Sequence, residues 1–171
     1  IFVPWYALEY YDVTQEKMLV EQGEYRFSAG ASSADIRQEL ECTVSGEVIP
    51  PRNLSHSICI KNYDSKHGIE ITLRFSYRKN DWYGCTNDWG GSFTFADADF
   101  AGYTKAELWA AAPCSQAGVT IYAGEQQLGS VEILPSRSMD DFQLYTIPLK
   151  PYTGQADLRL EITGMASVYR I

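Results

Sequence analysis

The chain has 171 residues, a formal net charge of -8, 45% hydrophobic and 21% charged residues. That length holds one ordinary domain, or one domain and part of another, and the composition is that of a folded chain with a real core. An acidic balance with no basic stripe excludes a nucleic-acid partner, and no apolar run approaches the ~18 residues of a membrane helix. Ile1-Phe2-Val3-Pro4-Trp5 lacks the charged and apolar regions of a signal peptide. It reads as a strand entered mid-course, so the numbering is expected to begin inside a longer polypeptide.

Period-two alternation then runs through most of the chain, which predicts an all-β protein. Tyr25, Phe27 and Ala29 share one face of the first clear strand, and Ile36, Leu40, Cys42 and Val44 share one face of the next. Gly46 to Ser57 breaks the pattern, and Pro50-Pro51 cannot sit in a central strand. The expected division is therefore a short piece (1–48), a linker (49–57) and a larger β-sandwich (58–171). A piece of about 48 residues with three strands buries too little surface to be stable by itself, so its missing strands are expected upstream. In the larger piece Thr104 to Ala112 has helix-like composition, but Pro113 and the surrounding alternation make it a strand. Val119, Ile121 and Ala123 alternate, as do Val131 and Ile133, then Tyr145, Ile147 and Leu149. Ala156, Leu158, Leu160 and Ile162 give the cleanest case. Turn signals at Gly23, Gly30, Gly102, Gly124, Gly154 and Gly164 separate these runs, as in a sandwich or jelly roll.

The chain carries no catalytic constellation. There is no G-x-S-x-G, H-E-x-x-H, P-loop or G-x-G-x-x-G, and the two histidines, His56 and His67, lie in polar, loop-like sequence. Asp97 with Asp99, and Asp140 with Asp141, are carboxylate pairs of the kind glycosidases use, but a solvated face or turn is the simpler reading. Of the four cysteines, Cys42 and Cys59 sit in apolar strand contexts and read as buried thiols. Cys85 and Cys114 lie in or near loops, which leaves a pairing between them open. The segment Asp81 to Gly91 packs Trp82, Tyr83 and Trp89 among Gly, Asn and Asp, and its turn residues put it at the surface. A ring can stack on the apolar face of a sugar while Asn87 and Asp88 satisfy the hydroxyls; the bland alternative is that the rings cap the core.

Two family resemblances follow from these residues. Leu8-Glu9-Tyr10-Tyr11-Asp12, Val20 to Tyr25 and Gly30 to Arg37 are similar, in order and spacing, to the second half of the fibronectin type III-like domain of family 3 glycoside hydrolases. Those enzymes are typically β-glucosidases or β-xylosidases whose catalytic residues lie in upstream domains, so the resemblance carries no catalytic residue into this chain. Residues 58–171 resemble a family 6 carbohydrate-binding module, a β-sandwich jelly roll. The resemblance rests on Ile58 to Ile69, Gly91 to Phe100, Leu128 to Val131, Asp141 to Tyr145 and Gly154 to Leu160.

The resemblance also marks departures. Family members often hold a structural calcium through first-strand glutamates and a late aspartate. Here Cys59 and Lys61 stand at the glutamate positions, and the terminal motif has become Ala166-Ser167-Val168-Tyr169-Arg170. Calcium needs several oxygen ligands, so no metal or other cofactor is expected, with Lys61 near the vacated cation position. The family's loop-site asparagine is replaced by Ala166 and its platform tryptophan by Phe142. The candidate carbohydrate-binding residues are Trp82, Tyr83, Asn87, Trp89 and Phe142.

The expected function is a non-catalytic C-terminal accessory region of a bacterial β-glycosidase acting on plant-type β-glycans. Its partners would be a β-linked oligo- or polysaccharide and the upstream catalytic domains of the same polypeptide, with homo-oligomerisation possible and no nucleic acid or membrane. The alternatives are a purely structural or oligomerising sandwich that has lost sugar binding, and a free-standing lectin-like module. The compartment is open, extracellular or cytoplasmic.

Overall fold

The computed structural model describes residues 2–75, 80–86, 89–100 and 102–171, with side chains in 73–75 and 80–83 outside the description. The fold is all-β, and it divides into two compact units, Ile1–Pro50 and Pro51–Ile171. Among the described residues no helix is long and apolar enough to cross a membrane.

In the smaller unit β1 (Tyr10–Asp12) pairs antiparallel with β2 (Lys17–Leu19). Asp12 organises the connection. Its Oδ1 accepts the amides of Thr14 (2.7 Å) and Gln15 (2.9 Å) and the Thr14 hydroxyl (2.6 Å), the usual way aspartate builds a turn. A ten-residue ribbon follows, β3 (Gly23–Ser32) against β4 (Asp35–Val44), linked across its width by Arg26–Glu41 at 2.8 Å. The face expected to be buried is open over much of its length: Val44 is buried, but Ile36 and Leu40 are exposed, and so is Cys42, correcting its reading as a buried thiol. Alternation specifies which side chains share a face. A two-stranded ribbon has no second layer in its own unit to cover that face.

The larger unit begins at the proline pair. Within the segment read as a linker, Arg52–Asn53 form β5, which pairs parallel with β9 (Gly91–Asp99). The other strands are β6 (Ser65–His67), β7 (Ile69–Phe75), β8 (Asn80–Thr86), β10 (Lys105–Ala111), β11 (Ala117–Ala123), β12 (Gln126–Ile133), β13 (Gln143–Pro148), β14 (Gln155–Thr163) and β15 (Ser167–Arg170). One sheet runs β13-β10-β15-β8-β7. The other runs β12-β11-β14-β9-β5, with β6 also on β9. The Thr104–Ala112 segment is a strand, β10, because Leu108 and Ala110 face the core at period two. His67 lies in β6 rather than in a loop, while His56 is exposed in a turn.

The core is the interdigitated inner faces: Phe93 and Phe95 from β9, Val119 and Ile121 from β11, Leu158, Leu160 and Ile162 from β14, and Leu108, Ile147 and Val168 from the facing sheet. Each fully buried side chain of this size contributes about 1.5–3 kcal/mol. In β9 the inward residues are Phe93, Phe95, Ala98 and Phe100, a step of three where two is the rule. The extra residue is a bulge, with Leu158 opposite Phe95 and Ala156 opposite Ala98, and with Asp97 at φ 48°. Two aspartates hold it. The Ala96 amide donates to Asp64 Oδ2 (2.7 Å) and the Asp97 amide to Asp157 Oδ1 (3.1 Å). The same Asp64 oxygen takes the buried Arg52 guanidinium at 3.0 Å, and that guanidinium lies over the Phe95 ring.

Candidate functional site

Strand direction gathers the loops that follow β8, β10, β12 and β14 at one end of the sandwich. Thr86 ties two of them together. Its hydroxyl donates to the Gly164 carbonyl (2.7 Å) and accepts the Ala166 amide (3.1 Å), while its own amide donates to the Ala166 carbonyl. Gly90, at φ 77°, lets the β8–β9 turn approach β14 so closely that a Cβ there would stand 2.1 Å from the Ile162 carbonyl oxygen. Thr86 and Gly90 are thus both held against the β14–β15 side, and Trp89 beside Gly90 is 92% exposed.

Phe142 sits half-buried immediately before β13, at the same end. Its ring meets Tyr169 of β15, centroids 5.7 Å apart and planes tilted by 41°, and the Arg170 guanidinium lies 4.8 Å from the Tyr169 ring centre. Tyr169 is the residue that sequence reasoning missed. It lies 27 positions from Phe142, and only the β13-β10-β15 order brings the two together.

The remaining candidates are placed as follows. Trp82 and Tyr83 lie on β8, so Asp81 to Cys85 is strand rather than surface loop; their side chains, like Asn87, lie outside the described residues. Tertiary pairing of β8 with both β7 and β15 overrides the loop-like composition. Ala166, which the resemblance puts at the position of a loop-site asparagine, is fully buried. Cys85 is buried in β8 with Sγ 3.7 Å from Ser167 Oγ, Cys114 is exposed, and all four cysteines are free; Cys59 is half-buried.

Cys59 and Lys61 stand where the resemblance places the calcium-binding glutamates. Cys59 forms an isolated antiparallel bridge to Arg170, and Lys61 follows on a short 3-10 turn, Ile60–Asn62. A thiol, an ammonium and a guanidinium supply none of the oxygens that calcium takes. Among the described residues, no three acidic, histidine or cysteine side chains cluster in a way that could hold a metal.

No protein-family model matches the chain, and no curated protein matches it in sequence. Solved structures do match in fold. A family 6 carbohydrate-binding module from Clostridium stercorarium, solved with cellobiose, superposes with a TM-score of 0.62 at 21% identity, covering 72% of this chain and 95% of its own. A β-1,3-glucan-binding family 6 module from Bacillus halodurans gives 0.63 at 17% identity, covering 70% and 96%. A family 43 arabinoxylan arabinofuranohydrolase from Bacillus subtilis, solved with cellotetraose, gives 0.64 at 11% identity, covering 84% of this chain but 32% of the enzyme. The larger unit thus has the jelly-roll fold of family 6 carbohydrate-binding modules.

Proposed function

We propose that the chain is a non-catalytic, glycan-binding accessory region, and that the loop end of the sandwich receives a β-linked oligo- or polysaccharide. The observation that carries this reading is the exposed indole of Trp89, held at the same end as the Phe142–Tyr169 ring pair on this fold. Of the solved modules of the same fold, one is described in complex with cellobiose and one as β-1,3-glucan-binding, which supports the ligand class. Rings supply stacking surfaces for the apolar faces of pyranoses, and Trp82, Tyr83 and Asn87 remain part of the proposed site. The sandwich is proposed to fold without calcium. The parent polypeptide is proposed to be a β-glycosidase of the family 3 type, its catalytic domains preceding the fibronectin type III-like strands of residues 1–48. Residues 49–57 would link the two pieces.

Affinity electrophoresis through gels containing mixed-linkage β-glucan, xylan or laminarin tests the site. The native chain is expected to be retarded by at least one polymer, and Trp89→Ala and Phe142→Ala each to weaken retention about three- to tenfold. A second reading, a purely structural sandwich, is favoured by the buried methyl of Ala166 where the family carries an amide. It predicts no retardation in any gel, and that result would overturn the glycan-binding reading.

A further inference from the structure

The five-stranded sheet is split at its centre. β10 pairs with β13 from Lys105 to Ala110, but with β15 only from Trp109 to Ala111, and with a register shift inside that short stretch. The other edge of β15 meets the segment after the linker. Arg170 bridges Cys59, and Ile171 exchanges both backbone hydrogen bonds with Ile58, at 2.7 and 3.1 Å. A cleft of about 400 Å³ opens beside the first half of β10. Its floor is core, formed by Phe100, Ile121 and Leu158, each no more than 3% exposed. Ile58, Leu149 and Ile171 line it further, and Trp109, 42% exposed, adds an indole.

Polar residues complete the lining. The Lys105–Glu107 ion pair, at 2.8 Å, is mostly solvated. His56 uses Nδ1 on the Ser55 hydroxyl at 3.2 Å. Its Nε2, and the hydroxyl of Tyr103, have no protein partner among the described residues. The volume falls in the ~300–1,000 Å³ range of small-molecule sites, and an apolar lining with a few polar groups is their usual composition. A sugar turned into this floor would bury hydroxyls without partners, which is costly. A planar ring with one polar edge would not.

We propose that this cleft is a separate binding site for a small phenol. The ring would lie on the Phe100–Ile121–Leu158 floor beside Trp109, and its hydroxyl would meet Tyr103 and His56. The site lies where β10 begins and β9 and β13 end, at the opposite end of the sandwich from Trp89 and Phe142. It is independent of the glycan-binding reading.

The test is a titration of the full chain with 4-methylphenol, followed by amide and indole shifts in 1H–15N spectra, with cellobiose as the comparison ligand. Saturable shifts are expected at Lys105 to Trp109 and at the Trp109 indole. Tyr103→Phe should weaken binding about three- to tenfold, as for one lost hydrogen bond. Ser57→Trp, placed on the exposed rim and checked for unchanged thermal unfolding, should weaken it about tenfold or more by blocking the mouth. Trp89→Ala should leave it unchanged while reducing glycan retention. Absence of saturable shifts at β10 would overturn the proposal. So would binding insensitive to both cleft variants, or saturation of the same amides by cellobiose and not by the phenol.

Discussion

The ring of Phe93 lies directly against Gly84, so that a Cβ at position 84 would stand 2.2 Å from the ring edge. The two residues belong to opposite sheets, β9 and β8, and their contact sets the spacing of the sandwich at this point. Gly84→Ala is expected to destabilise the larger unit by about 1–3 kcal/mol, the usual cost of overpacking a filled core. Chemical denaturation of the variant beside the native chain measures it. An unchanged midpoint would mean the ring can move aside freely.

Asp64 serves two groups at once, the Ala96 amide of the β9 bulge and the buried Arg52 guanidinium. Removing Asp64 leaves the buried Arg52 guanidinium without its partner, while water can reach the Ala96 amide. Asp64→Ala should therefore cost about 1–2 kcal/mol, and Arg52→Met, which removes the charge and keeps an apolar stem, clearly less. The reverse ranking in urea unfolding would show that the guanidinium, rather than the bulge, dominates.

Tyr10 and Asp12 make the smaller unit pH-dependent at both extremes. Burial, with the hydrogen bond to Glu21 at 2.9 Å and the charges of Glu21 and Asp12, pushes the Tyr10 phenol up to about 12. Its folded pKa is raised, so its contribution is present below the ordinary value of 10.0 and lost as pH rises through about 12. In an alkaline absorbance titration Tyr10→Phe should remove one late phenolate step. For Asp12, burial acts to raise the pKa, but hydrogen bonds from the Thr14 hydroxyl and from the Gln15 and Thr14 amides outweigh it and hold the carboxyl low. Its contribution is present above the unfolded value of about 3.9 and lost as pH falls through the folded one. The Thr14 amide resonance should report that step in acid, and Asp12→Asn should abolish it.

On the proposal that the sandwich folds without calcium, the thermal midpoint of the larger unit should be the same in millimolar calcium and in chelator, since a thiol at Cys59 and an ammonium at Lys61 supply no oxygen ligand. A rise of several degrees with calcium would overturn this.

The ring pair has its own signature. Phe142→Ala, Tyr169→Ala and the double variant should show a coupling of about 0.5–1.5 kcal/mol in stability, as for a packed aromatic pair. Additive effects would mean the rings are neighbours without interaction.

Sequence alone determined the all-β class and, in the cleanly alternating runs, which side chains share a face, because period two is a local property of the backbone. Leu158, Leu160 and Ile162 could be read off directly, and so could the helix-like segment that is β10. The resemblance of residues 58–171 to a sugar-binding sandwich pointed to the fold that the solved modules share. What the tertiary structure decided were relations between strands distant in the chain. The phase slip in β9 depends on Asp64 and Asp157, which lie on other segments. Tyr169 reaches Phe142 only through β10, and the cleft beside β10 draws its lining from segments as far apart as Ile58, Phe100 and Ile171. Burial belongs to the same group. Cys42 alternates as a core residue does, yet it is exposed, because alternation selects a face and only a second layer can cover it.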